Sequence, residues 1–169
     1  MEWNISKNSK RCLSCDRGFD ENDEFFSALF DRGDAFIRND FCPDCWDACD
    51  KETVYSFWRS KVSENKEPPK TKINIDAIFD LFLKLENAGD EDIAKRNLRF
   101  VLALYLMRKK ILKLKSSKVL GDSEIMTFKA PNEKKDIELH NPNLEAEQIE
   151  QITNDVKTLF DNPGLTIAN

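Results

Sequence analysis

Histidine is almost absent: His140 is the only one among 169 residues. A metal site built on several histidines, or catalysis by a histidine pair, is therefore excluded. Glycine and proline number only 5 and 6, which rules out collagen-like and low-complexity chains. Long apolar runs are missing as well. The longest, Phe100 to Met107, has eight residues, whereas a membrane-spanning helix needs about twenty. The opening Met-Glu-Trp-Asn-Ile-Ser-Lys lacks the apolar segment of a secretory signal. A cytoplasmic protein without membrane contact is expected. No glycine-rich phosphate loop, nucleophile elbow or His-Glu-x-x-His occurs. No small-molecule substrate is indicated and no catalytic residue is assigned; an enzyme of unknown class stands as the third functional reading.

What is present is aromatic and charged. Twelve Phe, three Trp and two Tyr supply a core that disordered chains lack. Charged residues make up 34% of the chain and the net charge is -5, against the field of a free nucleic-acid binder. The charge is uneven. Asp16 to Glu52 holds twelve acidic and four basic side chains, and Lys95 to Lys118 holds nine basic and no acidic ones. Such an arrangement offers two different surfaces to partners.

Periodicity divides the chain further. Phe25 to Phe30 and Ala35 to Arg38 read as strands around a turn at Asp31-Arg32-Gly33-Asp34. From Pro43 the pattern turns helical, with Trp46, Cys49, Val54, Phe57 and Trp58 near one stripe up to about Lys61. Ser63 to Lys72 is polar, carries a Pro pair and reads as a linker. Asp76 reads as an N-cap for a helix with Ile78, Phe79, Leu81, Phe82 and Leu85 on its apolar face, ending at Gly89. A second helix is expected from Asp90 or Asp92 to about Leu114, apolar all round its middle and so buried by neighbours. Ile125 to Phe128 and Ile137 to Leu139 read as a second hairpin. A last helix follows Asn141-Pro142-Asn143 and ends at Asn162-Pro163-Gly164.

The strongest chemical signal is Cys12-Leu13-Ser14-Cys15, then twenty-six residues, then Cys42-Pro43-Asp44-Cys45. Each C-x-x-C forms a tight knuckle whose thiolates converge, and two knuckles supply four sulfurs for tetrahedral, structural Zn²⁺. The intervening hairpin returns the chain to its starting end. An iron site of rubredoxin type uses similar knuckles, but Asp16 and Trp46 stand where glycines usually follow. An iron–sulfur cluster recruiting Cys49 is a further alternative, as is dithiol redox chemistry, although no thioredoxin-like βαβ pattern surrounds either pair.

Knuckle, hairpin and a helix opening at the second knuckle resemble a treble-clef or zinc-ribbon-like module. The resemblance covers residues 10 to about 60 and implies that Cys12, Cys15, Cys42 and Cys45 are structural ligands. The wider pattern is similar to small bacterial proteins with an N-terminal cysteine ribbon and a helical remainder. The expected fold is α+β: a treble-clef-like zinc module over 1–62, a polar linker over 63–72, and a helical region with a hairpin and a C-terminal helix over 73–169.

Three other features are singled out. Cys49 is a buried core thiol or a reserve ligand. On one continuous helix Lys95, Arg99, Lys110 and Lys113 share a stripe, and with Lys109 they are candidate contacts to nucleic acid or an acidic partner. His140 reads as a structural residue at a strand-to-helix junction. The function expected is a non-catalytic, zinc-stabilised adaptor or regulatory protein binding another macromolecule, first a protein; the alternative is a nucleic-acid-associated protein using the basic helix around 95–118.

Overall fold

The computed structural model describes residues 10–33, 35–62, 73–89, 91–160 and 165–167. Trp3, Asp34, Asp90, the expected linker over 63–72 and the expected helix stop Asn162-Pro163-Gly164 lie outside the described residues. In chain order the elements are β1 (Glu24–Asp31), β2 (Phe36–Phe41), α1 (Pro43–Asp47), β3 (Ser56–Val62), α2 (Ile75–Lys84), α3 (Ile93–Arg108), β4 (Lys113–Leu120), β5 (Ser123–Lys129), β6 (Ile137–His140), α4 (Ala146–Phe160) and β7 (Leu165–Ile167). The fold is α+β, with two antiparallel sheets. No described helix is long and apolar enough to cross a membrane. The chain divides into two compact units, residues 1–77 with 155–169, and residues 78–154.

The first unit is built on a sheet of order β2-β1-β3-β7. The β1–β2 hairpin forms as its pattern predicts. Its turn is closed by the Arg32 N–H on the Ala35 carbonyl and by the Gly33 N–H on the Asp31 carboxylate, with Gly33 at φ +91°. The register separates two faces. Phe25, Ser27 and Leu29 of β1 lie beside Arg38 and Asp40 of β2 and Ser56, Trp58 and Ser60 of β3. All eight are buried. On the other face are Phe26, Ala28 and Phe30 with Phe41 and Phe57.

The helix expected from Pro43 to Lys61 is corrected. Only Pro43–Asp47 is α-helical, a single 3-10 turn follows at Lys51–Thr53, and Ser56–Val62 is a strand paired to β1. Burial there alternates, with Ser56, Trp58 and Ser60 inside and Phe57 and Arg59 outside. Aromatic residues favour a pleated surface, and β1 offers an open edge. Over so short a window five apolar residues fit a helical stripe by spacing alone.

In the second unit α3 is enclosed as its composition requires: Leu98, Phe100, Val101, Leu102, Ala103, Tyr105 and Leu106 are all buried. Asp92 caps it by accepting the Lys95 N–H. Ahead of α2 the cap is Asn74, whose Oδ1 accepts the Ala77 N–H at 3.0 Å, and not the expected Asp76, which stands inside the first turn. Gly89 ends that segment at φ +74° but with ψ 163°, a turn into extended chain rather than the expected αL cap. The expected hairpin of β5 and β6 is present, and β4 joins it in a sheet of order β4-β5-β6.

The extension of α3 to Leu114 is also corrected. The helix stops at Arg108, Lys110 takes φ +62°, and the chain enters β4 at Lys113. Ser116, Ser117 and Val119 are poor helix formers, and Gly121-Asp122 supplies the two-residue turn that folds this segment onto β5.

Candidate metal centre

Two local structures bring the cysteines together. In the first knuckle the Asp16 N–H donates to the Cys12 carbonyl, and the Cys12 N–H donates to the Arg17 carbonyl. Asp16 sits at φ +58°, a conformation that Asp tolerates better than most residues. The position usually filled by glycine is thus occupied by a residue able to adopt the same turn. In the second knuckle Cys42 ends the extended stretch of β2, Pro43 opens α1, and the Trp46 N–H donates to the Cys42 carbonyl. The Leu13 N–H then donates to the Asp40 carbonyl at 2.8 Å. That bond pins the first knuckle to β2 two residues before Cys42.

The result is a compact set of sulfurs. The Sγ atoms of Cys12, Cys15, Cys42 and Cys45 all lie within 4.8 Å of one another, and Cys15 and Cys42 are 3.8 Å apart. A disulfide requires about 2.05 Å, so these are free thiols. A tetrahedron of sulfurs around a metal with bonds of about 2.3 Å has edges of about 3.8 Å. The four side chains are therefore positioned to hold a metal ion, with no histidine or carboxylate in the set.

Packing supports this arrangement from below. Cys12 and Cys42 are buried in one cluster with Ala28, Phe41 and Trp46, on the Phe26 face of the first sheet. Trp46 stacks on Phe26 with ring centroids 5.1 Å apart, and Phe57 lies 4.9 Å from it on another side. Each such aromatic pair contributes about 0.5–1.5 kcal/mol beyond its burial. Lys51 lies over the Trp46 ring at 4.9 Å and donates to its carbonyl. Sequence reasoning did not single out Lys51 or Leu13; both act through the backbone of a knuckle, which residue type does not signal.

The thiols perturb one another in opposite directions. Burial raises Cys12, but N–H donors from Cys42, Cys15 and Ser14 outweigh it and lower the thiol from 9.0 to about 6. Cys45 is pushed up to about 12, first by its hydrogen bonds with Cys42 and Cys12. Burial raises Cys42 too. Hydrogen bonding at Cys45 and burial at Cys42 oppose ionisation of these two thiols, and a bound cation would favour it.

The remaining candidates fall elsewhere. Cys49 is outside the four-sulfur set; its thiol points to the Asp50 carbonyl at 3.8 Å, and it packs half-buried against the same apolar cluster. Because α1 ends at Asp47, Cys49 does not share a helical face with Cys45. The single basic stripe is likewise corrected. Lys95 pairs with Asp92, Arg99 lies over Phe82 and near Glu86, and Lys109 lies over Tyr105, whereas Lys110 is in the turn after α3 and Lys113 is on β4. A change of secondary structure at Arg108 divides residues that a continuous helix would have aligned. His140 is the last residue of β6, exposed beside Asn141. Comparison with family models, with curated proteins and with solved structures gives no match for this chain.

Proposed function

We propose that the chain is a non-catalytic adaptor whose first unit is a treble-clef-like module held by one structural Zn²⁺ on Cys12, Cys15, Cys42 and Cys45, and whose surfaces bind another protein. The observation that carries this reading is the four-sulfur set itself. Four thiolates fill every position of tetrahedral zinc and leave none for water or substrate, which is the chemistry of a structural site. Free thiols in such a set persist in a reducing compartment, in keeping with a cytoplasmic location. The protein-binding part draws support from two apolar side chains left exposed near the cysteines: Leu13, 62% exposed within the first knuckle, and Phe57, 48% exposed against Trp46. Aromatic and aliphatic anchors of this kind are typical of docking surfaces.

Elemental analysis of the purified chain tests the metal, with one zinc per chain expected; iron in its place, or no metal, overturns it. Affinity capture with and without chelator tests the rest, with partner loss on zinc removal expected for the surface around Leu13 and Phe57. The nucleic-acid alternative drew on one basic helix around 95–118, and the division of that stretch between α3, a turn and β4 leaves the protein-partner reading better supported.

A further inference from the structure

The second unit ends its sheet on an exposed strand. β4 is an edge strand of eight residues, seven of them exposed, and among the described residues no strand pairs with its outer side. Natural edge strands are generally shortened, covered, bent by a bulge or guarded by charged side chains, lysine above all, because their free N–H and C=O groups invite another strand. β4 carries a bulge and three lysines, so the segment that pairs with it must neutralise those lysines. Here the edge also carries apolar side chains: Leu114, Val119 and Leu120 are 45%, 71% and 64% exposed.

The charge on this strand points to its occupant. The register places Lys113 directly opposite Lys129 on β5. Like charges opposite one another across a ladder repel. Lys110 joins these two around a recess of about 290 Å³, floored by Ile111, Ala130 and Pro131. Lys118 lies on the same sheet face as Lys113 and Lys129, by the register that pairs it with Ile125. Among the described residues none of these four lysines forms an ion pair, whereas Lys115, at the bulge, is paired with Asp136.

We infer that β4 is the docking edge for an extended, acidic segment of a partner protein, which adds to the sheet as a fourth strand. Its backbone pairs with the free side of β4. Its carboxylates sit at Lys113 and Lys118, with Lys129 one strand further in adding to the positive field, and one apolar side chain enters the recess beside Ile111 and Pro131. A second copy of this chain is a poor occupant, since β4 against β4 would bring lysines together. Nucleic acid is disfavoured because it has no use for a row of amide donors and acceptors, and no aromatic side chain stands among the residues named. The inference rests on the protein-binding part of the proposed function and not on its metal, because the unit carrying β4 contains none of the cysteines.

The full chain, isotope-labelled, is titrated at low salt with a capped peptide of alternating Glu and Val. The same peptide with alternate backbone nitrogens methylated, and single-stranded oligothymidylate, are titrated beside it. Amides of residues 113–120 are expected to shift and to exchange more slowly with the first peptide. The methylated peptide, and the variant Lys113→Glu with Lys129→Glu, are each expected to lose about tenfold or more in affinity. If that variant misfolds, Lys113→Ala with Lys129→Ala is expected to show the same direction. The inference is overturned if β4 does not respond at about 1 mM peptide, if the methylated peptide binds equally well, or if oligothymidylate binds β4 as tightly. A failure of zinc analysis leaves this result standing, and the converse also holds.

Discussion

Arg38 donates through Nε to the Asp40 carboxylate at 3.1 Å, and the two side chains are 1% and 2% exposed. The Ser27 hydroxyl donates to the same carboxylate oxygen at 2.6 Å and accepts from Arg38 Nη2 at 2.9 Å. Arg38 Nη1 donates to the Leu159 carbonyl, and its guanidinium lies 5.2 Å from the centre of the Trp58 ring. One cation thus joins β2, β1 and the end of α4. Burial pulls the Arg38 pKa down, and Asp40 opposes that pull.

Asp40→Ala would leave this cation buried without its counter-charge. The expected cost is about 3–5 kcal/mol of unfolding free energy, because the desolvation penalty stays while the attraction is lost. Arg38→Met with Asp40→Leu removes both charges and is expected to recover most of the loss. Urea denaturation monitored by tryptophan fluorescence measures both. A change below about 1 kcal/mol in the single variant would refute the argument.

Cys15 and Cys49 are separated by the same logic. Cys15→Ser removes one of the four clustered sulfurs and is expected to abolish stoichiometric metal binding and to loosen the sheet signal of the first unit. Cys49→Ser is expected to keep one metal per chain, since its thiol faces the Asp50 carbonyl. Equal metal content in Cys15→Ser and the unaltered chain would sink the assignment; so would unchanged circular dichroism after verified zinc removal.

The cysteine set was legible because its chemistry lies in residue type and spacing: two C-x-x-C pairs around a hairpin leave few alternatives. The β1–β2 hairpin was legible for a similar reason, since Asp31 and Gly33 carry their own turn chemistry. Two strands were not. β3 hides two serines, Ser56 and Ser60, on its inward face, so polarity and burial disagree there. β4 is exposed on nearly every residue and has no inward pattern to read. Its place follows from the Gly121 turn and from β5, which are tertiary facts. The loss of β4 to a supposed helix is also what produced a basic stripe that the fold does not contain.

Asn74 and Asp76 give a direct comparison of cap and first-turn residue. Asn74 accepts the Ala77 N–H, so Asn74→Ala is expected to cost about 1 kcal/mol. Asp76→Ala removes only a favourable charge in the first turn of α2, and the expected cost is about 0.3–1 kcal/mol at low salt. Thermal melts of the two variants decide. A larger loss from Asp76→Ala than from Asn74→Ala would return the cap to the position that sequence pattern favoured.

Glu124 links three segments of the second unit. Its carboxylate accepts from the Ser117 hydroxyl on β4 and from Asn141 Nδ2 at 2.7 Å, and its carbonyl accepts the Asn141 N–H. The Ser117 and Asn141 donors favour the charged form and hold its pKa below the ordinary 4.5. A depressed carboxylate stabilises the fold fully above the unfolded value and loses that contribution as pH falls through the folded value. The window therefore lies below 4.5, on the acid side. Carbon-detected NMR of the Glu124 carboxyl should give a midpoint under 4.5, and Ser117→Ala should move it upward, since Ser117 is the larger of the two causes. A midpoint at or above 4.5 in the unaltered chain would show that the β4–β5 turn is not tied down by this carboxylate.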